Sequence, residues 1–374
     1  EIYNFKELRL ILIKKGIKLK SNTDTEVLLH FFIIYGEKCL DFFEGMWSFV
    51  IFDTKKKIFF ISRDRFGEKP LYYYQDSSGF YFGSEINYIK NFLDTKLKIN
   101  EHQLEKYLSL GYKSLNKDNE TFYQNLKIFP KSTFIHQKDL SNLKFVNYWK
   151  LEYRPNKKIN NSEIIAESKK LLIDSVGLRL RSEVPIGLCL SGGVDSSGIA
   201  SIAKNIYNKN LQTYSIIDSD KRYNEIKNIS LTIKSLNLKN HKIHLKKNNS
   251  LLKLKKLVEY KGHPICTLSY FSHSLMLEKM KKHNIKVCLL GTAADEIFTG
   301  YYDHFLLHLS TFRSKVKFKK NKNYFLKYIK PYIRNKLLLD PNKYKKNPND
   351  RRHVYDESSI LSKFITKKTK LGFK

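Results

Sequence analysis

The sequence is poor in acid and in cysteine, and it lacks any long hydrophobic run. Lysine and arginine number 69 against 36 aspartates and glutamates, a formal charge of +33. No apolar stretch reaches the roughly 18 residues that a bilayer span needs. The opening EIYNFKELRL carries acids where a secretion signal has a basic stretch followed by an apolar one. Both features set membrane insertion and export aside and point to a cytoplasmic protein. The four cysteines, Cys39, Cys189, Cys266 and Cys288, lie far apart in mostly apolar settings, without metal-ligand spacing. They read as buried free thiols in a reducing compartment, not as a disulfide or zinc framework.

The basic excess is nearly all lysine, scattered along the chain and densest at Lys55–Lys57 and Lys315–Lys322. A strongly basic chain can bind nucleic acid through counterion release. Scattered lysine is also what a solvated surface or a lysine-biased proteome produces, and on sequence alone nucleic acid is set aside as a partner. The excess would still concentrate small anionic ligands. Hydrophobic content of 41% and aromatic content of 14% make the chain globular. Its 374 residues allow two domains, at about 150 residues each.

The most informative stretch is PIGLCLSGGVDSSGIASIA, residues 185–203. Pro185 opens an apolar run, Ile186 to Leu190, that reads as a buried strand with proline at its tolerated first position. Apolar residues at Ile199, Ile202, Ala203 and Ile206 then follow helical spacing. A strand, a glycine-rich turn and a helix N-terminus together form an anion cradle, with backbone N–H groups and the helix dipole facing a phosphate. Gly192 and Gly193 permit close approach, and Ser191, Ser196 and Ser197 supply hydroxyls. Asp195 would repel phosphate unless a cation stood between them, so it reads as a magnesium ligand. The loop lacks the lysine of the GxxxxGK[ST] phosphate loop. SGGVDSS is similar to the pyrophosphatase loop of the N-type ATP pyrophosphatases, a resemblance that implies cleavage between the α- and β-phosphates of ATP and adenylation of a substrate.

In chain order, residues 5–15 and 24–35 read as helices, with N-cap candidates from Ser21 to Asp24. MWSFVIFD, KIFFISRD, PLYYYQ and GFYFGSE, separated by turn residues, read as one antiparallel sheet. Helices near 85–93 and 101–110 and a strand pair around 126–136 follow. Residues 148–162 are polar and turn-rich and read as a linker. A helix at about 162–181, with Ile165, Leu172 and Val176 on one face, leads into the central strand. Alternating strands and helices beyond it predict a parallel sheet covered by helices. His241 and His244 share a predicted strand without further ligands nearby, which argues against a metal there.

The first half carries a more specific signature. EIYNFKEL, DTEV (24–27), GMWSFVIFD (45–53), RDRFGEKPLYY (63–73) and GSEI (83–86) resemble the glutaminase domain of the glutamine-hydrolysing asparagine synthetases. SGGVDSS about a hundred residues later completes the match. The resemblance implies a partial N-terminal-nucleophile (Ntn) glutaminase over residues 1–150, built of antiparallel sheets with helices. It implies a parallel-sheet ATP pyrophosphatase domain, of the adenine-nucleotide α-hydrolase type, over 151–374. Both ends read as truncated. In the family a terminal cysteine attacks glutamine, and no such residue stands in this chain, whose nearest cysteine is Cys39. On this reading the chain as given does not hydrolyse glutamine. By resemblance, Glu1 and Asp24 bind the α-amino group of glutamine, with helix capping as the alternative for Asp24. RDRFGEKP reads as structural support through Asp64 and Lys69, and Tyr72 to Tyr74 as core and sheet face.

The second carboxylate cluster is LLGTAADEIFTGYYDH, 289–304. A strand ending at Leu290 and a turn at Gly291 place Asp295 and Glu296 in a helix N-terminus, where capping is the plain alternative. Two parallel strands ending at one sheet edge bring Asp195 and Asp295 around one metal–pyrophosphate. The family pattern here is SGxGxDE, whose Asp is taken as a magnesium ligand. In this chain Leu290 replaces Ser, Thr292 replaces an acidic residue, and Ala293 and Ala294 follow. By resemblance, Leu190, Tyr214, Ser215, Leu290 and Gly291 join the SGGVDSS residues around ATP, Tyr214 and Ser215 ending the next strand, and Glu225 lies within reach of the metal. The implied activity is ATP- and magnesium-dependent amidation of aspartate through β-aspartyl-AMP, with small-molecule partners only. The rivals are amidation of another carboxylate, motivated by Thr292, a tRNA-modifying ATP pyrophosphatase, and a non-catalytic chain that binds nucleotide. Oligomeric state stays open, a homodimer included.

Overall fold

The computed structural model describes residues 1–115, 118–155, 159–220, 224–245 and 249–355. Helix α1 (Phe5–Lys14) buries Leu8 and Leu12. Helix α2 (Asp24–Tyr35) starts at Thr23, whose side-chain oxygen accepts from the Glu26 amide. Glu26 in turn accepts from the amides of Lys20 and Ser21, which pushes its carboxyl pKa down to about 2. Both helices pack on a core of Val27, Phe31, Leu40, Phe43, Trp47 and Phe60.

Strands β1 (Ser48–Asp53), β2 (Ile58–Arg63), β3 (Tyr72–Asp76) and β4 (Gly79–Gly83) precede helices α3 (Ile86–Phe92) and α4 (Glu101–Leu110). Strands β5 (Leu126–Ile128), β6 (Thr133–Gln137) and β7 (Val146–Asn147) follow. The single antiparallel sheet expected from the sequence is in fact two, ordered β1-β2-β6-β7 and β4-β3-β5. The split has a local cause. Asp64, fully buried just after β2, accepts from the amides of Trp47, Phe66, Glu68 and Lys69. Arg63 donates to the carbonyls of Gly67, Lys69 and Phe129. Together they fold RDRFGEKP into a turn that carries the chain out of the first sheet. The pair expected around 126–136 is likewise divided: β5 joins β3 and β6 joins β2.

Helix α5 (Asn161–Arg179) opens with a capping box between Asn160 and Glu163. Val176 is buried, whereas Ile165, expected on the same inward face, is 68% exposed. The α5 N-terminal half therefore projects beyond the core. Next come β8 (Ile186–Cys189), α6 (Val194–Ser201), β9 (Gln212–Ile217), α7 (Ile226–Leu236), β10 (Asn240–His244), α8 (Ser250–Lys261), α9 (Leu268–Lys282) and β11 (Val287–Leu289). The four strands are parallel in the order β10-β9-β8-β11. Helices α10 (Ala294–Phe298), α11 (Tyr302–Thr311) and α12 (Lys315–Tyr324) complete the labelled elements.

The two halves meet at the α8–α9 connection. Asn87 donates to the Tyr260 carbonyl at 2.8 Å, Tyr107 to the Ile265 carbonyl at 2.6 Å, and Tyr123 to the Gly262 carbonyl. Phe122 stacks on His263, and Arg181 pairs with Glu7 at 2.7 Å.

Candidate active site

The parallel sheet fixes where a ligand fits. Chain order β8, β9, β10 runs outward to one side of β8, and β11 returns to its other side. In such sheets the crevice beyond the carboxyl ends of the strands, where the direction of winding reverses, is the ligand site. Here that crevice lies between β8 and β11, and SGGVDSS and GTAADE are the loops that leave those two strands.

Leu190, fully buried, closes β8: its amide donates to the Tyr214 carbonyl at 2.8 Å and its carbonyl accepts from Ser215 Oγ at 2.6 Å. Gly192 has φ +90°, and a Cβ there would stand 3.1 Å from the Glu225 Cβ and 3.2 Å from its carbonyl oxygen. Only glycine fits both the conformation and the space. Ser191 Oγ and Ser196 Oγ share a hydrogen bond of 3.0 Å, the Gly193 amide donates to Ser191 Oγ, and Ser197 Oγ meets Thr232 Oγ1 at 3.1 Å. In this geometry the loop hydroxyls brace the turn itself. Asp195, in the first turn of α6, is solvent-exposed.

From the other strand, Gly291 comes against α6. A Cβ on it would stand 3.0 Å from the Asp195 Cβ and 3.0 Å from the Ser196 amide nitrogen. Asp295 and Glu296 occupy the first turn of α10, and Gly300 packs directly against the Asp295 carboxylate. Tyr301, which the sequence reading did not single out, donates to Glu296 Oε1 at 2.6 Å, and that bond pushes its phenol pKa up to about 12. The DEIFTGY spacing was its only signal. Two residues around α10 hold left-handed backbone without being glycine: Ala293 at φ +76° and Thr299 at φ +66°. Desolvation raises the Glu225 carboxyl pKa beside Gly192.

Among the described residues no group of three or more His, Cys, Asp or Glu side chains forms a metal cage. Magnesium held by one or two carboxylates and completed by phosphate oxygens and water needs none. Asp195 and Asp295, each in the first turn of a helix leaving adjacent strands, suit that mode. Tyr214 and Ser215 do not end β9, which runs on to Ile217 because its parallel pairing with β10 extends to Ile217 and His244. Both side chains are fully buried, and the Tyr214 hydroxyl meets His283 Nδ1 at 2.8 Å. His241 stacks on Tyr214 and its Nε2 meets Gln212 Oε1 at 2.9 Å.

In the first half, Thr23 takes the capping role and leaves the Asp24 carboxylate to accept from the Ile2 amide at 2.9 Å. Glu1 is tied to the next segment through the Met46 amide, which donates to its carbonyl at 3.0 Å. Gly45 lies under this junction, its space closed by the backbone of Glu1 to Tyr3. The two carboxylates expected to share one ligand thus stand on adjoining backbone segments. Of the four thiols, Cys39 is buried and the other three are half-buried, all free.

Family profiles match both halves: residues 1–149 match the glutamine amidotransferase domain and residues 167–361 match asparagine synthase. The chain belongs to the asparagine synthase family. It is 33% identical over 308 residues to the putative asparagine synthetase [glutamine-hydrolyzing] 2 of Methanocaldococcus jannaschii, covering 81% of this chain and 58% of that one. It is 30% identical over 301 residues to asparagine synthetase [glutamine-hydrolyzing] 1 of Bacillus subtilis, covering 80% and 46%. The chain therefore spans about half the length of the curated relatives it matches. Among solved structures, the NH3-dependent NAD synthetase of Campylobacter jejuni matches at 14% identity and a TM-score of 0.24 over 58% of this chain and 99% of that one, too distant to carry an argument.

Proposed function

We propose that this asparagine synthase family chain carries the ATP site of a ligase that amidates the side chain of aspartate with ammonia drawn from glutamine. The observation that supports it best is that the loops carrying Asp195 and Asp295 leave adjacent parallel strands at the point where the sheet reverses its winding. The chemistry needs activation, because a carboxylate oxygen is a poor leaving group and AMP is a good one. An oxygen of the aspartate side chain attacks the α-phosphorus of ATP and pyrophosphate leaves. Ammonia then attacks the acyl carbon of the β-aspartyl adenylate, and AMP leaves with the carbonyl–oxygen bond broken.

In this reading the amides at the start of α6, with Ser191 to Ser197 shaping the loop, receive the phosphates. Leu190, Leu290 and Gly291 form the strand-end wall against the nucleotide, and Tyr214 and Ser215, buried within β9, support it through the Leu190 amide and carbonyl. Asp195 and Asp295 hold magnesium, which would neutralise the charge of the departing pyrophosphate. Tyr301 orients Glu296. Glu1 and Asp24 face the α-ammonium of glutamine in the other half.

A second reading, amidation of a different carboxylate, is favoured by one observation: Thr292 stands where the family pattern has an acid. One experiment separates the two. The full-length natural protein is given ATP, magnesium, ammonium and each of a panel of carboxylates, and AMP release and the amide product are measured. Aspartate-dependent AMP with asparagine as product supports the first reading, and turnover with another acid alone replaces it by the second.

A further inference from the structure

We propose that the outer face of α12 and the two turns after it is a binding surface for single-stranded nucleic acid. Lys315–Lys322 is one of the densest lysine runs of the sequence, and Lys315, Lys317, Lys319 and Lys320 are exposed on α12. After α12 the chain continues through a π-helical turn, Phe325–Ile329, and a 3-10 turn, Lys330–Tyr332. Phe318, Phe325, Leu326, Ile329 and Ile333 face inward, onto Leu306 and Leu309 of α11. The opposite side presents Tyr324, Tyr328 and Tyr332 at four-residue spacing, 58%, 49% and 70% exposed. The rings of Tyr324 and Tyr328 lie 4.8 Å apart, and Lys327 Nζ stands 5.0 Å from the Tyr328 centroid.

The charge on this face is one-sided. No aspartate or glutamate occurs from His304 to Leu339. Among the described residues no lysine from 315 to 330 has an ion-pair partner, whereas Lys343 and Lys346, just beyond, are paired with Asp350 and Asp340 at 2.8 and 2.9 Å. Unpaired lysines release counterions when they meet a phosphate backbone, and exposed aromatic rings stack on bases of any sequence. A stacked duplex offers its base faces to no side chain, so a single strand fits better. An anionic bilayer would take a larger aliphatic surface than this face offers: Val316 is exposed, but Phe318, Phe325, Leu326 and Ile329 point into the core. The residues of the ATP site take no part in this face.

The test uses a fluorescein-labelled oligouridylate and the whole chain, followed by fluorescence anisotropy. Binding is expected that quenches tyrosine emission and weakens about a hundredfold or more between roughly 50 and 200 mM salt. Tyr324→Ala with Tyr328→Ala should weaken it about tenfold or more. Lys317→Gln with Lys320→Gln and Lys327→Gln should flatten the salt dependence, while the same change at Lys55, Lys56 and Lys57 leaves it unaltered. Thermal unfolding of each variant checks that it folds, and quenching in the parent protein gives a reading that needs no variant. No binding at low salt overturns the proposal. So does binding without quenching that the tyrosine variant retains in full, or a preference for phosphatidylserine vesicles over the oligonucleotide.

Discussion

Gly291 and Asp195 stand back to back across the mouth of the parallel sheet: a Cβ on Gly291 would lie 3.0 Å from that of Asp195. The second residue after β11 is thus packed on the first turn of α6, and the two loops form one wall. Gly291→Ala must push α6 away. The expected cost is ~1–3 kcal/mol of stability from overpacking, with a larger proportional loss of ATP–magnesium affinity. Urea unfolding and calorimetric titration, run together, check both. Unchanged affinity would mean that the two loops do not share a ligand.

Ala293 and Thr299 hold conformations that favour glycine, Thr299 at φ +66° and ψ 156°. That region of backbone space is close to glycine-only, and a residue kept there costs about 1–3 kcal/mol. Thr299→Gly should therefore stabilise the chain by about 1 kcal/mol after the added freedom of the unfolded glycine is subtracted. Ala293→Gly should act in the same direction and less strongly. Shifted urea midpoints at constant slope are the readout, and a destabilised Thr299→Gly would show that this backbone is not strained.

Asp64 is the keystone of the turn between the two antiparallel sheets. It is fully buried and receives four backbone amides. Asp64→Ala leaves those donors without an acceptor, at a cost on the order of 3–5 kcal/mol. The loss should appear as global destabilisation, with β2 and the 64–69 turn exchanging amide hydrogens first.

The buried pair Lys343–Asp350 predicts an acid limit. Arg352, and after it Lys343, hold the Asp350 carboxyl far below the ordinary carboxylate range. A carboxylate whose folded pKa is depressed contributes stability above its unfolded pKa, near 3.9, and loses that contribution as pH falls toward the folded value. Asp350→Asn should cost about 3–5 kcal/mol at neutral pH, because Lys343 stays buried without its partner. The gap between parent and variant should be constant from about pH 7 to 5 and narrow below about pH 4. A gap that widens on acidification would contradict the pairing.

Much of this was legible in the sequence where local chemistry decides. SGGVDSS after an apolar run placed β8, its loop and α6, and the cap candidates from Ser21 to Asp24 marked the start of α2, where the structure uses Thr23. What was not legible depends on partners far along the chain. That β3 leaves β2 for β5 rests in part on the reach of Asp64 to the Trp47 amide and of Arg63 to the Phe129 carbonyl, 17 and 66 residues away. The exposed half of α5 has the same periodicity as a buried one. Ala293 and Thr299 look ordinary as letters, and their strain shows only in the backbone. Lys315–Lys322 stood out in the sequence as a dense run, but the tyrosines beyond it did not, since one-dimensional spacing hides which side the core occupies.

Pyrophosphate release by the full-length natural protein, measured beside its Asp195→Asn variant with ATP, magnesium, ammonium and aspartate, tests the central claim most directly. With the ATP site between β8 and β11, release should depend on aspartate and vanish in the variant while its unfolding midpoint stays unchanged. Release that survives in Asp195→Asn at the parent rate would contradict it and remove the ATP site from the crevice between β8 and β11.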